Sequence, residues 1–251
     1  MTGGELVVRC LAAQGVRHVF GIPGALNAAL YDALARQEAI EHVLVRHELG
    51  AAWMADGYAR ASGEVGVCVT VPGPGATHAA SGIAGAYTDC VPVLLLASRS
   101  ETRWDGQPTR DLFHGLDQAA LFAPITKWHG TVRRAEEIGP TLEQAFRQLR
   151  SGRPGPVMVE VPADVLAAPA AGEVPAAVEP ERPEADAREV EQAVALLRSA
   201  ARPLLLADDG VLHAGAWGEL AALAERLEAP VITTIQGKSG IAEEHPWSLG
   251  D

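Results

Sequence analysis

Glu48 has the clearest chemical potential in this chain, because of the run that holds it: Arg46-His47-Glu48-Leu49-Gly50-Ala51-Ala52-Trp53-Met54-Ala55-Asp56-Gly57-Tyr58-Ala59-Arg60. A strand-like stretch, Ile40 to Val45, leads into it, and the run itself has helical spacing. Glu48 then stands at the mouth of a helix. On its helical face lie Ala52, Ala55 and Ala59, so that face is nearly bare. A bare face lets another backbone or a flat ring come close. A first-turn carboxylate also complements the helix macrodipole, and spacing alone favours that plainer role.

Two glycine turns accompany it. Gly21-Ile22-Pro23-Gly24 ends a strand-like run from Val16 to Phe20, and Pro72-Gly73-Pro74-Gly75 follows another from Val65 to Val71. Ligand sites of α/β proteins gather at the C-terminal ends of parallel strands, which makes Pro23, Gly24, Gly73, Pro74 and Gly75 candidate binding positions. Gly and Pro also serve simply to close strands. The second turn is not a phosphate loop, because no Gly-Lys-Ser/Thr follows it.

The elements that must position these residues follow from hydrophobic periodicity. Helices are predicted over 4–14, 27–36, 48–61, 76–87 and 135–150. Strands are predicted over 16–20, 40–45, 65–71, 91–97, 125–132 and 157–161. Short apolar strands alternating with helices imply a doubly wound α/β fold, its parallel sheet covered on both faces. Ser98 to Gly115 reads as a polar loop. Ala167 to Ala185 lacks periodicity and holds Pro169, Pro175, Pro180 and Pro183, a linker signature. A partial second α/β unit follows, with helices over 187–200 and 216–227 and strands over 203–207 and 230–234. The expected division is 1–166, a linker over 167–186, and 187–251.

A chain of 251 residues with 48% hydrophobic side chains has material for one large or two modest domains. The net charge of −12, without a basic patch, argues against a nucleic-acid partner. Cys10, Cys68 and Cys90 are few and odd in number, as expected of reduced thiols in a cytoplasmic protein, and their apolar contexts mark Cys68 and Cys90 as core residues. Glu5 and Arg9 interrupt the first apolar stretch, so no signal peptide is expected, and no run has the length of a membrane span.

In order and separation, Gly21-Ile22-Pro23-Gly24, the His47-Glu48 helix through Arg60, and Gly73-Pro74-Gly75-Ala76-Thr77 resemble the pyrimidine-binding (Pyr) domain of thiamine-diphosphate enzymes, nearest to the acetolactate synthase group. Ala86-Tyr87-Thr88-Asp89-Cys90-Val91-Pro92-Val93 and Gly152-Arg153-Pro154-Gly155-Pro156-Val157 agree. The resemblance covers nearly the whole chain, with residues from 187 onward similar to the start of that family's central domain.

The resemblance implies thiamine diphosphate as cofactor, of which this chain would meet only the pyrimidine half. It makes Glu48 the catalytic residue. The family's matching glutamate hydrogen-bonds N1′ of the aminopyrimidine and so promotes loss of the thiazolium C2 proton. Partial burial among Ala and Gly suits a carboxyl group to share a proton. Pro23, Gly24, Gly73, Pro74 and Gly75 would lie beside the cofactor. The implied substrates are 2-oxo acids, with carboligation of pyruvate first. A benzoylformate-decarboxylase-like or other lyase reaction, and a silent interaction module, stand as alternatives. The implied partner is a second copy, or a chain carrying the diphosphate-binding domain.

Some positions depart from the synthase pattern. Pro72 replaces Ser, His78 replaces Asn, and His114-Gly115 replaces Gln-Glu. Lys127-Trp128 is similar to the benzoylformate decarboxylase branch as much as to the synthases. His114 is thus a candidate substrate contact, whereas His78 is expected to be a surface or helix-capping residue. The family's Mg²⁺ site uses Gly-Asp-Gly and a later Asn-Asn. This chain has a single asparagine, Asn27, and no Gly-Asp-Gly, so no metal ligands are expected from it. Asp208-Asp209-Gly210 is expected to be a strand-end turn. FAD is left open. The end at Asp251, inside the second unit, is expected to reflect truncation, with one half of a split enzyme as the alternative.

Overall fold

The computed structural model describes residues 1–180 and 184–251; residues 181–183, which include Pro183 of the expected linker, lie outside the described residues. The chain divides into two compact units, Met1–Arg182 and Pro183–Asp251.

The first unit opens with α1 (Gly3–Ala13). Thr2 and Glu5 start it as a reciprocal cap: the Glu5 N–H donates to Thr2 Oγ1 at 3.2 Å, and the Thr2 N–H donates to Glu5 Oε2 at 2.9 Å. In order follow β1 (His18–Gly21), α2 (Ala28–Ala35), β2 (Glu41–Leu44), α3 (Glu48–Ser62), β3 (Gly66–Thr70), α4 (Pro74–Thr88), β4 (Val93–Arg99), α5 (Gln118–Phe122), β5 (Trp128–Thr131), α6 (Ile138–Arg150), β6 (Val157–Pro162) and α7 (Ala163–Ala167). The strands form one six-stranded sheet in the order β2-β1-β3-β4-β6-β5, and each neighbouring pair is parallel.

The central strands are apolar on both faces, as a sheet covered on both sides requires. Side chains alternate between two cores. Val67, Val69, Leu94 and Leu96 join α1, α2 and α6 on one side. Cys68, Leu95 and Met158 join α3 and α4 on the other. The bare face of α3 is filled by backbone. A Cβ at Gly82 of α4 would stand 2.6 Å from Ala52 Cβ, and one at Gly66 would stand 2.0 Å from the Ala55 carbonyl oxygen. Asp56, buried on the same helix, accepts from Arg60 Nε at 2.6 Å, and Arg60 Nη2 reaches Asp89 at the end of α4 at 2.8 Å.

The Ala/Pro-rich stretch after α7 differs from a free linker. Among its described residues it has neither α-helix nor extended sheet, yet it is strapped to α1 and α6. Thr2 and Pro169 form an isolated bridge, and the Ala170 N–H donates to the Met1 carbonyl at 2.8 Å. Buried Gln14 donates to the Ala176 carbonyl at 2.8 Å and accepts from the Val178 N–H at 2.9 Å. Arg150 donates to the carbonyls of Gln14 and Val178. The first unit therefore carries chain past residue 166. Composition could not show this, because the contacts use backbone atoms of residues without periodicity.

The second unit contains α8 (Ala187–Ser199), β7 (Leu205–Ala207), α9 (Asp209–Ala214), α10 (Trp217–Leu227) and β8 (Val231–Thr233), with β7 and β8 parallel. Its buried cluster is small: Ala207, Ala224, Val231 and Ile241. Asp208-Asp209-Gly210 is a strand-end helix cap. Asp208 accepts from the Asp209 N–H at 2.9 Å and from the Thr234 hydroxyl. Among the described residues no helix is long and apolar enough to cross a membrane.

Candidate functional site

Glu48 is the first residue of α3, and His47 caps that helix by accepting the Leu49 N–H on Nδ1 at 3.1 Å. The Glu48 side chain is 15% exposed, so it is sheltered yet open to a ligand. Beneath it lie two neutral groups. Burial first, and then Cys68 and Glu48, push the Tyr31 hydroxyl up from its ordinary value. Burial first, and then Glu48, pushes the Cys68 thiol up. Both stay protonated at neutral pH.

The two glycine turns meet over Val71. A Cβ at Gly24 would stand 2.6 Å from Val71 Cγ1, and one at Gly75 would stand 2.7 Å from Val71 Cγ2 and 3.3 Å from Glu48 Oε1. Only glycine allows this approach. The first turn is held by Asn27, whose Oδ1 accepts from the Gly24 N–H at 2.7 Å while its Nδ2 donates to the Ile22 carbonyl at 3.3 Å. Gly73 has φ +62°, and a Cβ there would stand 2.6 Å from the His114 carbonyl oxygen. Pro74 sits in the first turn of α4, where its missing N–H costs nothing. Pro23 and Pro74 are both exposed. The structure thus brings Gly24, Glu48 and Gly75 together at the ends of β1 and β3, with Gly73 bridging to His114.

His78 is exposed, as expected, but it has a partner. Its Nδ1 lies 3.0 Å from Glu48 Oε2, and its ring lies 4.4 Å from that of His47, centroid to centroid. His47, Glu48 and His78 are the only group of three potential metal-ligating side chains to converge among the described residues, with one ligand atom from each within 4.8 Å of the others. Their Nδ1 and carboxylate atoms are already engaged with one another and with the Leu49 N–H.

His114 lies in the left-handed region at φ +55° and stacks on Phe113 at 3.9 Å. It lines a cleft of about 290 Å³ with Arg99, Gln118, Thr131, Arg133 and Glu160. Glu160 is buried there and accepts from Gln118 Nε2 at 2.7 Å and Thr131 Oγ1 at 3.0 Å. Sequence reasoning passed over Gln118 and Glu160. The available signal was a charged residue inside the apolar strand Val157-Met158-Val159-Glu160-Val161.

Residues 1–121 match the family described as thiamine pyrophosphate enzyme, N-terminal TPP binding domain, and residues 190–251 match its central domain. The chain is therefore built from an N-terminal and a central unit of one class of cofactor-dependent enzyme. It belongs to the thiamine pyrophosphate enzyme family, and its sequence is acetolactate synthase-like. A probable acetolactate synthase large subunit from Methanocaldococcus jannaschii is 41% identical over 100% of this chain and 43% of its own length. An acetolactate synthase from Arthrospira platensis is 41% identical over 100% of this chain and 44% of its own. A probable 2-ketoarginine decarboxylase from Pseudomonas aeruginosa is 42% identical over the same shares, 100% and 44%. The chain spans less than half the length of these curated relatives.

Proposed function

We propose that this chain supplies the pyrimidine-facing half of a thiamine-diphosphate site in an enzyme acting on 2-oxo acids, with acetolactate-synthase-like carboligation of pyruvate as its reaction. The carrying observation is the placement of Glu48: a sheltered carboxylate at the strand ends, with Oε1 beside the Cβ-free edge of Gly75. Such an oxygen suits a ring nitrogen that shares a proton. The bound cofactor would supply a carbon that, once it has lost its proton, can add to the substrate ketone and take up the electrons left as CO₂ departs. Glu48 would hold a proton at the pyrimidine nitrogen. Gly24, Gly73 and Gly75, with Pro23 and Pro74, would keep the turns low enough for the ring to approach. The diphosphate and its Mg²⁺ would be held elsewhere, by a second copy or a companion chain with a diphosphate-binding domain, and the assembly would work in the cytoplasm.

The test is C2 proton exchange of the cofactor in the holoenzyme, followed by NMR. Glu48→Gln should slow exchange by about 10²–10⁴-fold with the fold intact. Unchanged exchange would remove Glu48 from the role.

A decarboxylase reading is favoured by one observation, the 42% identity to a probable 2-ketoarginine decarboxylase. His114 in the cleft bears on the choice. In the holoenzyme, His114→Gln should raise carboligation relative to simple decarboxylation of pyruvate. A ratio that does not move would take His114 out of substrate selection.

A further inference from the structure

We propose that His78 positions the Glu48 carboxylate, holding Oε2 so that Oε1 alone faces the ligand; this rests on the reading of Glu48 above. The arrangement grows out of helix packing. Ala52 and Gly82 bring α3 and α4 into close contact. One turn nearer the start of each helix stand Glu48 and His78, on the same facing surfaces. Their contact at 3.0 Å is thus a product of the same close approach.

A glutamate's last torsion is broad, so an untethered carboxylate turns freely. A single donor on Oε2 removes that freedom and assigns the two oxygens different tasks. Oε1 is left at the edge of Gly75, 3.3 Å from where a Cβ would stand. His47 steadies the donor: its ring packs against that of His78, and its own Nδ1 is fixed by the Leu49 N–H. The expectation of a merely exposed or capping histidine is met in its exposure alone. A histidine can donate from Nδ1 only with the proton on that nitrogen, so the arrangement demands the Nδ1–H form.

Two measurements test this. In the chain itself, ¹⁵N NMR of the imidazoles should show His78 protonated on Nδ1; an unprotonated Nδ1 overturns the proposal. In the holoenzyme, His78→Leu should slow C2 exchange by about tenfold or more, with little change in cofactor affinity, since a misplaced group costs rate before binding. His78→Asn puts an amide donor at the same distance from Cβ and should recover most of that loss. Wild-type exchange in His78→Leu, or no recovery with Asn, overturns the proposal. Should Glu48→Gln leave exchange intact, the role of Glu48 fails instead, and the Nδ1 measurement still decides whether His78 donates to it.

Discussion

Ala52 and Gly82 touch where α3 crosses α4: a Cβ on Gly82 would stand 2.6 Å from that of Ala52 and 3.2 Å from the Ala52 carbonyl carbon. The alanine face below Glu48 is therefore a seat for a neighbouring helix, and there is no room for a larger side chain. Ala52→Leu should destabilise the first unit by about 1–3 kcal/mol, the usual cost of overpacking a close-packed core. The urea midpoint measures it. A midpoint equal to that of the parent chain would mean that the two helices separate without loss.

Asn27 ties the first glycine turn through both ends of its amide and is itself buried. Asn27→Ala leaves the half-buried Gly24 N–H and Ile22 carbonyl without that partner, at about 0.5–1.5 kcal/mol for each bond lost. Amide hydrogen exchange at Gly24 should quicken selectively. Protection equal to the parent's would show that the turn holds itself.

The thiols of Cys10 and Cys68 should ignore an aromatic disulfide reagent at pH 8 and react once the chain is unfolded. Both are buried, and burial pushes Cys10 up to about 11 from 9.0. Because the folded value is raised, the stability gained by keeping this thiol neutral is fully present below pH 9. It is lost as pH rises through about 11. Fast labelling of both at pH 8 in the folded chain would contradict their placement.

The chain alone should bind thiamine diphosphate weakly. Its pyrimidine-side contacts amount to a few hydrogen bonds at about 0.5–1.5 kcal/mol each, while diphosphate and metal coordination carry the concentrated charge. Calorimetry with Mg²⁺ present reads this directly. Micromolar, Mg²⁺-dependent affinity would show that this chain holds the diphosphate as well.

What the sequence disclosed and what it withheld divide along one line. β3 and β4 announce themselves, because unbroken apolar runs fit only a strand buried on both faces. Glu48 falls at a helix start, where the change from strand to helical spacing places it. Contacts between distant positions left no such trace. His78 reaches back thirty residues to Glu48, and Gln118 reaches forward to Glu160. Periodicity reports which face a residue takes, not which partner waits across it. Gln118–Phe122, a single short helix with one polar residue turned inward, also fell below what periodicity can register.

The strap from Ala168 to Val178 sets an order of events during synthesis. Gln14 leaves the ribosome before the residues its buried amide needs, Arg150, Ala176 and Val178. Met1 and Gly3 likewise wait for Ala170 and Ala168. The first helix can form at once, but its seat is finished only by chain made more than 150 residues later. Until then a nascent chain would carry an unsealed edge for chaperones or proteases to find. A fragment cut at residue 166 would carry that same open edge permanently.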